Sequence, residues 1–382
     1  MSREGARAVV IGGGAIGLAV ARELGRRGRQ VVLVEGGEPG GGTTRTSFAW
    51  VNAYSKAPRD YFDLNRAGVE AHRSLAAEGD GQWLAMTGRL EWAVDPNERR
   101  GLAERAARTL DWGDPVRRLA PAEGRALEPD VRIPDDAEAW FFPNEGHLFI
   151  DRFVARLVAD AVAAGVQLVT GQRVVGFERA GDDLAAVLLD DGSRLAADDI
   201  VSCAGRWTGA IAGLASGRVA MLGPDQPSRV PGFLGYTPPV DTRLGRILSA
   251  PGLMVRPESG GRLILQASEF DRDARADAPP PVDGELGRLL LARARAILDR
   301  FDVERLEELR VGVRSIPADG LPVVGRVPGT GGLYAVATHS GLTLAILLGR
   351  LVADEIVTGR TAPELAPFRP ERFARPMADA AR

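Results

Sequence analysis

The 382-residue sequence contains a single cysteine, Cys203, which excludes an internal disulfide and any metal cluster built on several thiolates. Only three histidines are present, His72, His147 and His339, too scattered to suggest a histidine metal site, so no metal is expected. Lysine is nearly missing: Lys56 is the only one, and arginine carries the remaining positive charge. Neither sign of charge is in strong excess, and a formal net charge of −3 leaves no footprint for nucleic acid or an anionic membrane surface. Long apolar runs are missing too. The most apolar late stretch, GLTLAILLGRLVADEIV, carries Arg350, Asp354 and Glu355 and reads as a buried helix, not a membrane span. The first apolar run starts near Ala8, which leaves no space ahead of it for a secretory leader and predicts a cytoplasmic protein. No heptad or exposed apolar stripe stands out, so a homo-oligomer is left open.

What is present begins at once. Ala8 to Ile11 predicts a short buried strand, and Gly12, Gly14 and Gly17 follow in G-x-G-x-x-G spacing. From Ala15 to Gly28 apolar residues recur at helical intervals (Ile16, Ala19, Val20, Leu24), and Val31 to Val34 predicts a second strand that closes on Glu35. The first glycine permits the tight turn, the second lets a pyrophosphate approach the backbone, and the third lets helix and strand pack closely. The opening N–H groups of the helix, including those of Ala15 and Ile16, offer a positive dipole end to phosphates. Glu35 stands where a carboxylate accepts hydrogen bonds from ribose hydroxyls and repels a 2′-phosphate. Strand, glycines, helix, second strand and terminal acid fall in register, which makes a dinucleotide-binding unit a specific reading. NAD and FAD share an ADP half, and both stay open at this point.

The rest of the chain alternates. A glycine- and threonine-rich loop, GGEPGGGTTRTSFAW, follows Glu35 where an NAD dehydrogenase more often continues into another plain βα unit. Pro58 to Gly79 is helical in pattern. Residues 83–145 mix short strands such as RLEWAV, an arginine-rich helix around 98–110 and proline-broken loops. Asp151 to Gly165 predicts an amphipathic helix with Asp151 at its N-cap. A β-meander follows, with turns at AGDD and DDGS, and ends in an apolar strand and a second glycine turn, CAGRW. Residues 218–310 hold a proline-rich loop, strands near 253–256 and 262–267 and a helix near 284–300. A strand at Leu309–Ile316, a turn, another strand and a long final helix complete the chain. Blocks with nucleotide-site character alternate with blocks that lack it, so two interleaved domains are expected.

Four segments, in order, carry a resemblance: GGGAIG with Glu35, VSCAGRWT, the run from Arg314 to Gly325 (R-x-x-P-A-D-G-L-P-V-V-G), and GLYAVATHSGLTLA. Together they resemble the D-amino-acid oxidase / glycine oxidase / sarcosine oxidase family of FAD-dependent oxidoreductases. The resemblance implies an α/β fold in which a Rossmann-like FAD-binding domain of the glutathione-reductase type is interleaved with an α+β substrate domain built on an antiparallel sheet. It divides the chain into 1–82, 146–217 and 311–382 for FAD and 83–145 and 218–310 for substrate. It further implies that Thr43, Thr44, Ser47 and Phe48 carry the loop from pyrophosphate to flavin ring, and that the Val174 backbone meets the adenine. Ala204 and Gly205 would turn tightly beside the pyrophosphate, with Trp207 packing the start of its helix against the sheet. Ser340, Gly341, Leu342 and Thr343 would begin a helix aimed at the pyrimidine end of the flavin, where its dipole stabilises negative charge.

Arg314 matches the family arginine that pairs with a substrate carboxylate, and a guanidinium does so through two parallel charge-assisted hydrogen bonds. The implied activity is oxidation of the CH–NH bond of a small amino acid or N-substituted amine to an imine, by hydride transfer to the flavin. His339 reads either as a catalytic base or as a residue that holds its loop through backbone hydrogen bonds. His147 reads as a loop residue near substrate or at the surface. Lys56, with Trp50, Asn52 and Tyr54, reads as lining the active site or as loop packing. Cys203 reads as a small buried residue, away from any position that would bind flavin covalently, so FAD is expected to be non-covalent. The pattern departs from the family at Leu253, aligned with a tyrosine of glycine oxidases, and at Ile264, near the oxygen-activating lysine of sarcosine oxidases. The electron acceptor therefore stays open between oxygen and a quinone or carrier protein. An NAD-binding or redox-silent nucleotide-binding protein is the remaining alternative, disfavoured by the Gly42–Phe48 loop and the THSGLTLA helix.

Overall fold

The computed structural model describes residues 5–224, 230–275 and 278–374. Six strands form the first sheet, in the order Val323–Arg326, Tyr334–Ala337, Asp199–Ser202, Arg7–Ile11, Gln30–Glu35 and Gln167–Thr170. All neighbours are parallel except the edge pair Val323–Arg326 and Tyr334–Ala337. Its central strands are continuously apolar because both faces are covered. One face carries helices, and the other carries an antiparallel meander, Val174–Ala180, Asp183–Leu189 and Arg194–Ala196, whose Leu184, Val187 and Leu189 pack against Val9, Ile11 and Val34.

The helical side sets the geometry of the site. Helix Ala15–Arg26 buries Leu18, Val20 and Leu24, and the last helix, Gly341–Thr358, lies across it. The two approach so closely that a Cβ on Gly349 would sit 2.9 Å from the Ala19 backbone. Helix Arg59–Ala77 crosses the start of the last helix in the same way, with a Cβ on Gly68 only 2.7 Å from the Thr343 carbonyl oxygen. Helix Ile150–Ala163 begins one residue earlier than its sequence suggests: Phe149 is the N-cap, and Asp151 lies within the first turn. A carboxylate there still favours the positive end of the helix, so the sequence signal was real but displaced.

The second sheet has eight strands, in the order Glu308–Val313, Pro231–Tyr236, Arg262–Gln266, Leu253–Glu258, Ile247–Ala250, Arg89–Ala93, Glu138–Phe142 and Arg117–Leu119. It is antiparallel except where Ile247–Ala250 runs parallel to Arg89–Ala93. Strand Glu308–Val313 belongs wholly to this sheet, so a boundary at 311 cuts through it, and the chain returns to the first sheet only after Val313. Alternation along the strands separates two faces. Leu253, Val255, Leu263 and Leu265 pack against Leu290 and Leu291 of helix Glu285–Ile297. Leu234, Tyr236, Met254 and Ile264 form the opposite face against Phe48. A small sheet of Trp50–Val51, Gly146–Leu148 and Leu84–Ala85 joins the loop after Phe48 to the chain entering and leaving the large sheet. Among the described residues no helix is long and apolar enough to cross a membrane, and no group of His, Cys, Asp and Glu could hold a metal ion.

Candidate active site

The first turn admits only glycine at two points. Gly12 has φ +103°, and a Cβ there would lie 2.6 Å from the Cys203 carbonyl oxygen. A Cβ on Gly17 would lie 1.8 Å from the Gly12 carbonyl oxygen, inside any permitted contact. Gly14 caps the helix with extended backbone and no side chain, and the Ala15 N–H is met by the Thr44 hydroxyl at 3.2 Å. Ile16 follows, partly buried. Glu35 closes the second strand with its carboxylate fixed by the N–H groups of Gly13 (2.7 Å) and Gly37 (2.9 Å). The second glycine turn lies behind the first, since the same Gly12 Cβ would come within 3.0 Å of the Ala204 Cα. Gly205 follows in that turn, and Val174 opens the meander just after Gln172 donates to the Glu35 carbonyl at 3.2 Å. A helix start bare of side chains, a carboxylate held at the end of the strand and a backbone with no space for Cβ atoms together fit a dinucleotide.

Trp207 does not fulfil its expected packing role. It is 50% exposed, and Arg206 stacks on its ring at 4.0 Å. Of the hydroxyls of the following loop, Thr43 donates to the Val313 carbonyl at 2.7 Å, whereas Thr44 accepts from the Ala15 N–H and Ser47 accepts from the Ala49 N–H at 3.0 Å. Phe48 is buried beneath Arg256, whose Nε donates to the Phe48 carbonyl.

The start of the last helix is tied to residues that sequence reasoning did not single out for this purpose. Ser340 and Tyr61 share a hydrogen bond of 2.7 Å, and His72 Nε2 meets the Leu342 carbonyl at 2.7 Å. Burial pushes the His72 pKa down to about 4, so the ring is neutral and donates from Nε2. Thr343 donates to the Trp50 carbonyl at 3.2 Å and accepts from the Asn52 N–H at 3.4 Å. Gly341 faces the first helix, where a Cβ would be 3.6 Å from Ile16. The starts of the two helices thus lie side by side.

Beside them the chain brings together Arg314, His339 and Lys56. His339 is open on one side, and no hydrogen bond ties its ring to the described residues, contrary to a role in holding its loop. The surrounding protein, followed by the cations of Lys56 and Arg314, lowers its pKa and keeps it neutral. Lys56 lies 5.9 Å from the centre of the Tyr61 ring, and burial, opposed by Glu145, lowers its pKa to about 8. Arg314 is not free: its Nη2 donates to Asp271 at 2.6 Å and its Nη1 to the Pro231 carbonyl at 3.2 Å. Burial pushes the Asp271 carboxyl up, and Arg314 opposes that shift.

His147 and Cys203 are not part of this group. His147 is fully buried in a strand, neither at the surface nor in an open loop; both ring nitrogens lack hydrogen-bond partners among the described residues, and burial lowers its pKa to about 3. Cys203 is buried behind the first turn, and its thiol is pushed well up by burial. Leu253 points into the core under helix Glu285–Ile297, and the side chain of that strand facing Phe48 and Trp50 is its neighbour Met254. A shift of one residue exchanges the faces of a strand, which is why two neighbours line different faces. A cage around Arg89 had no sequence signal at all. Its guanidinium lies 5.0, 4.1 and 4.1 Å from the ring centres of Trp50, Tyr54 and Phe142, and it is paired with Glu145 (2.7 Å) and Glu91. Burial works against its charge, but the two carboxylates more than offset it, and its pKa is raised.

Residues 7–355 match the DAO family model, described as FAD dependent oxidoreductase. The chain belongs to this family of FAD-dependent oxidoreductases. Glycine oxidase of Geobacillus kaustophilus (strain HTA426) is 28% identical over 375 residues, covering 94% of this chain and 95% of the relative. D-proline dehydrogenase of Pyrobaculum islandicum is 27% identical over 408 residues, covering 97% of this chain and 100% of the relative. The crystal structure of the Geobacillus kaustophilus glycine oxidase aligns with a TM-score of 0.82 at 24% identity, over 95% of this chain and 98% of that one. Membership of the DAO family settles the nucleotide as FAD and closes the NAD-binding and redox-silent alternatives.

Proposed function

We propose that this flavoenzyme oxidises the CH–NH bond of a small amino acid or N-substituted amino acid to an imine, which water then hydrolyses. The observation that carries the reading is the meeting of Arg314 and Lys56 around the neutral His339, next to the paired helix starts. Bound FAD supplies the acceptor for the hydride. The N–H groups that Arg314 retains take the substrate carboxylate and fix the orientation of its Cα–H. Lys56 adds a second positive charge. Like-charge repulsion from Lys56 favours the neutral form of the substrate amine, as loss of a hydride from the adjacent carbon requires. His339, held neutral, offers hydrogen bonding without adding charge. The nucleotide cradle is the region grouped as 1–82, 146–217 and 311–382, with its last boundary moved to Val313, and the large sheet provides the substrate wall. A buried, protonated Cys203 behind the first turn supports non-covalent FAD, and a lone reduced cysteine suits the cytoplasm.

The test is an anaerobic absorption spectrum of the purified protein before and after addition of D-, L- and N-methyl amino acids. Bleaching of the flavin band by one of them is expected, whereas a flavin that none of them bleaches would falsify the substrate assignment. A second reading, a dehydrogenase that passes electrons to a quinone or carrier protein, is favoured by Ile264. This residue is fully buried in the apolar face against Phe48, and its own side chain offers oxygen no charge. Stopped-flow reoxidation separates the two, because fast reaction of the reduced enzyme with oxygen rejects the dehydrogenase.

A further inference from the structure

The Arg314–Asp271 pair is built into the edge of the large sheet. Asp271 is 1% exposed, its Oδ2 accepts from Arg314 at 2.6 Å, and its Oδ1 accepts from the Phe233 N–H at 3.1 Å. Both side chains lie directly on Gly232, where a Cβ would come within 2.4 Å of Arg314 Nη2 and 2.9 Å of Asp271 Oδ2. Asp271 cannot swing away without giving up both bonds inside the protein, an unfavourable exchange for a buried carboxylate. A guanidinium has five N–H donors, and Asp271 and the Pro231 carbonyl engage only one on each terminal nitrogen. Arg314 therefore keeps donors for a ligand while its charge is already matched.

Lys56 is the opposite case. Among the described residues no carboxylate lies in ion-pair range of it. The acid that acts on it from a distance, Glu145, is engaged by Arg89 Nε at 2.7 Å and Trp50 Nε1 at 2.8 Å.

We propose that Asp271 is a resident counter-ion of Arg314 that sets the charge the pocket accepts. With Arg314 matched and His339 neutral, Lys56 is the one cation of this group left to balance, and the site takes substrates with one carboxylate in preference to two. This rests on the reading of Arg314 as the carboxylate-binding residue. Asp271 acts through Arg314 and is a positioning and selecting residue, not a catalytic one.

Calorimetric titration of the FAD-loaded protein with acetate and with malonate tests the proposal without relying on turnover. Wild type is expected to bind acetate more tightly than malonate. Asp271→Asn keeps an acceptor oxygen but removes the charge, and is expected to tighten malonate binding about tenfold, and by more than it tightens acetate. A merely structural role for Asp271 would loosen binding, never tighten it. Asp271→Ser removes the same charge in a smaller side chain and carries the same expectation if the asparagine variant loses FAD. Malonate binding that is unchanged or weaker in these variants, while Arg314→Ala abolishes acetate binding, overturns the proposal and leaves the carboxylate reading of Arg314 standing. Acetate binding unaffected by Arg314→Ala overturns both.

Discussion

Arg89 opens a strand of the large sheet and Arg314 follows its edge strand, and both meet a buried carboxylate. Arg89 is 0% exposed, enclosed by three aromatic rings, with two glutamates at its edges. Arg314 remains 23% exposed and has one aspartate on one edge. The first arrangement uses every direction the guanidinium can interact in, so nothing is left for a ligand. The second leaves N–H donors unpaired on a side chain that is still partly exposed. Burial with complete pairing marks an arginine that holds structure, and burial with incomplete pairing marks one available for binding.

Substitution at each arginine should break the comparison in different ways. Arg89→Met leaves Glu145 and Glu91 buried without their cation and is expected to cost about 3–5 kcal/mol in denaturant unfolding, whatever substrate is used. Arg314→Ala is expected to keep FAD but to lose some stability, because it leaves Asp271 buried without its cation; the loss should be smaller than at Arg89, where two carboxylates are stranded. Its kcat/KM for a carboxylate-bearing substrate should fall about 100-fold or more, mainly through KM, as steady-state kinetics would register. Lys56 sharpens the contrast through pH. Its folded pKa of about 8 lies below the ordinary 10.5, so the unfolded chain binds more protons between these values, and this group makes stability rise with pH across that window. Over the same window the cation is lost and acetate affinity should fall. Lys56→Met should flatten both slopes, in pH series of melting and of acetate titration. The smallest effect is expected from Trp207→Ala, half exposed on its short turn, with stability changed by less than about 0.5 kcal/mol in chemical denaturation.

The part of the molecule that was legible in the sequence is the part where backbone geometry dictates residue type. Gly12 and Gly17 cannot be replaced without a collision, and so they announce the nucleotide turn in any sequence that has it. The apolar central strands and the long last helix were legible for a similar reason, because burial on both faces leaves little choice. The chemistry of the substrate wall was less legible. Asp271 and Arg314 are 43 positions apart, and Arg89 and Glu145 are 56 apart, so no local spacing links them. Each is one of many arginines or acids in a chain with 48 Lys and Arg and 51 Asp and Glu. Met254 was missed by a single residue of register, and Asp151 by the two positions that separate it from the actual cap at Phe149. Trp207 was misjudged because its aromatic bulk suggests a core and gives no sign of where a short turn will point it.

The close crossing of the first and last helices at Ala19 and Gly349 also bears on the order of synthesis. The glycine turn leaves the ribosome well ahead of the surface that buries Ala19, which emerges only with residues 341–358. The glycine turn is thus supported only once residues 341–358 have been made. Ribosome-bound chains halted before Gly341 are therefore expected to take up no FAD, as flavin fluorescence of stalled complexes would register.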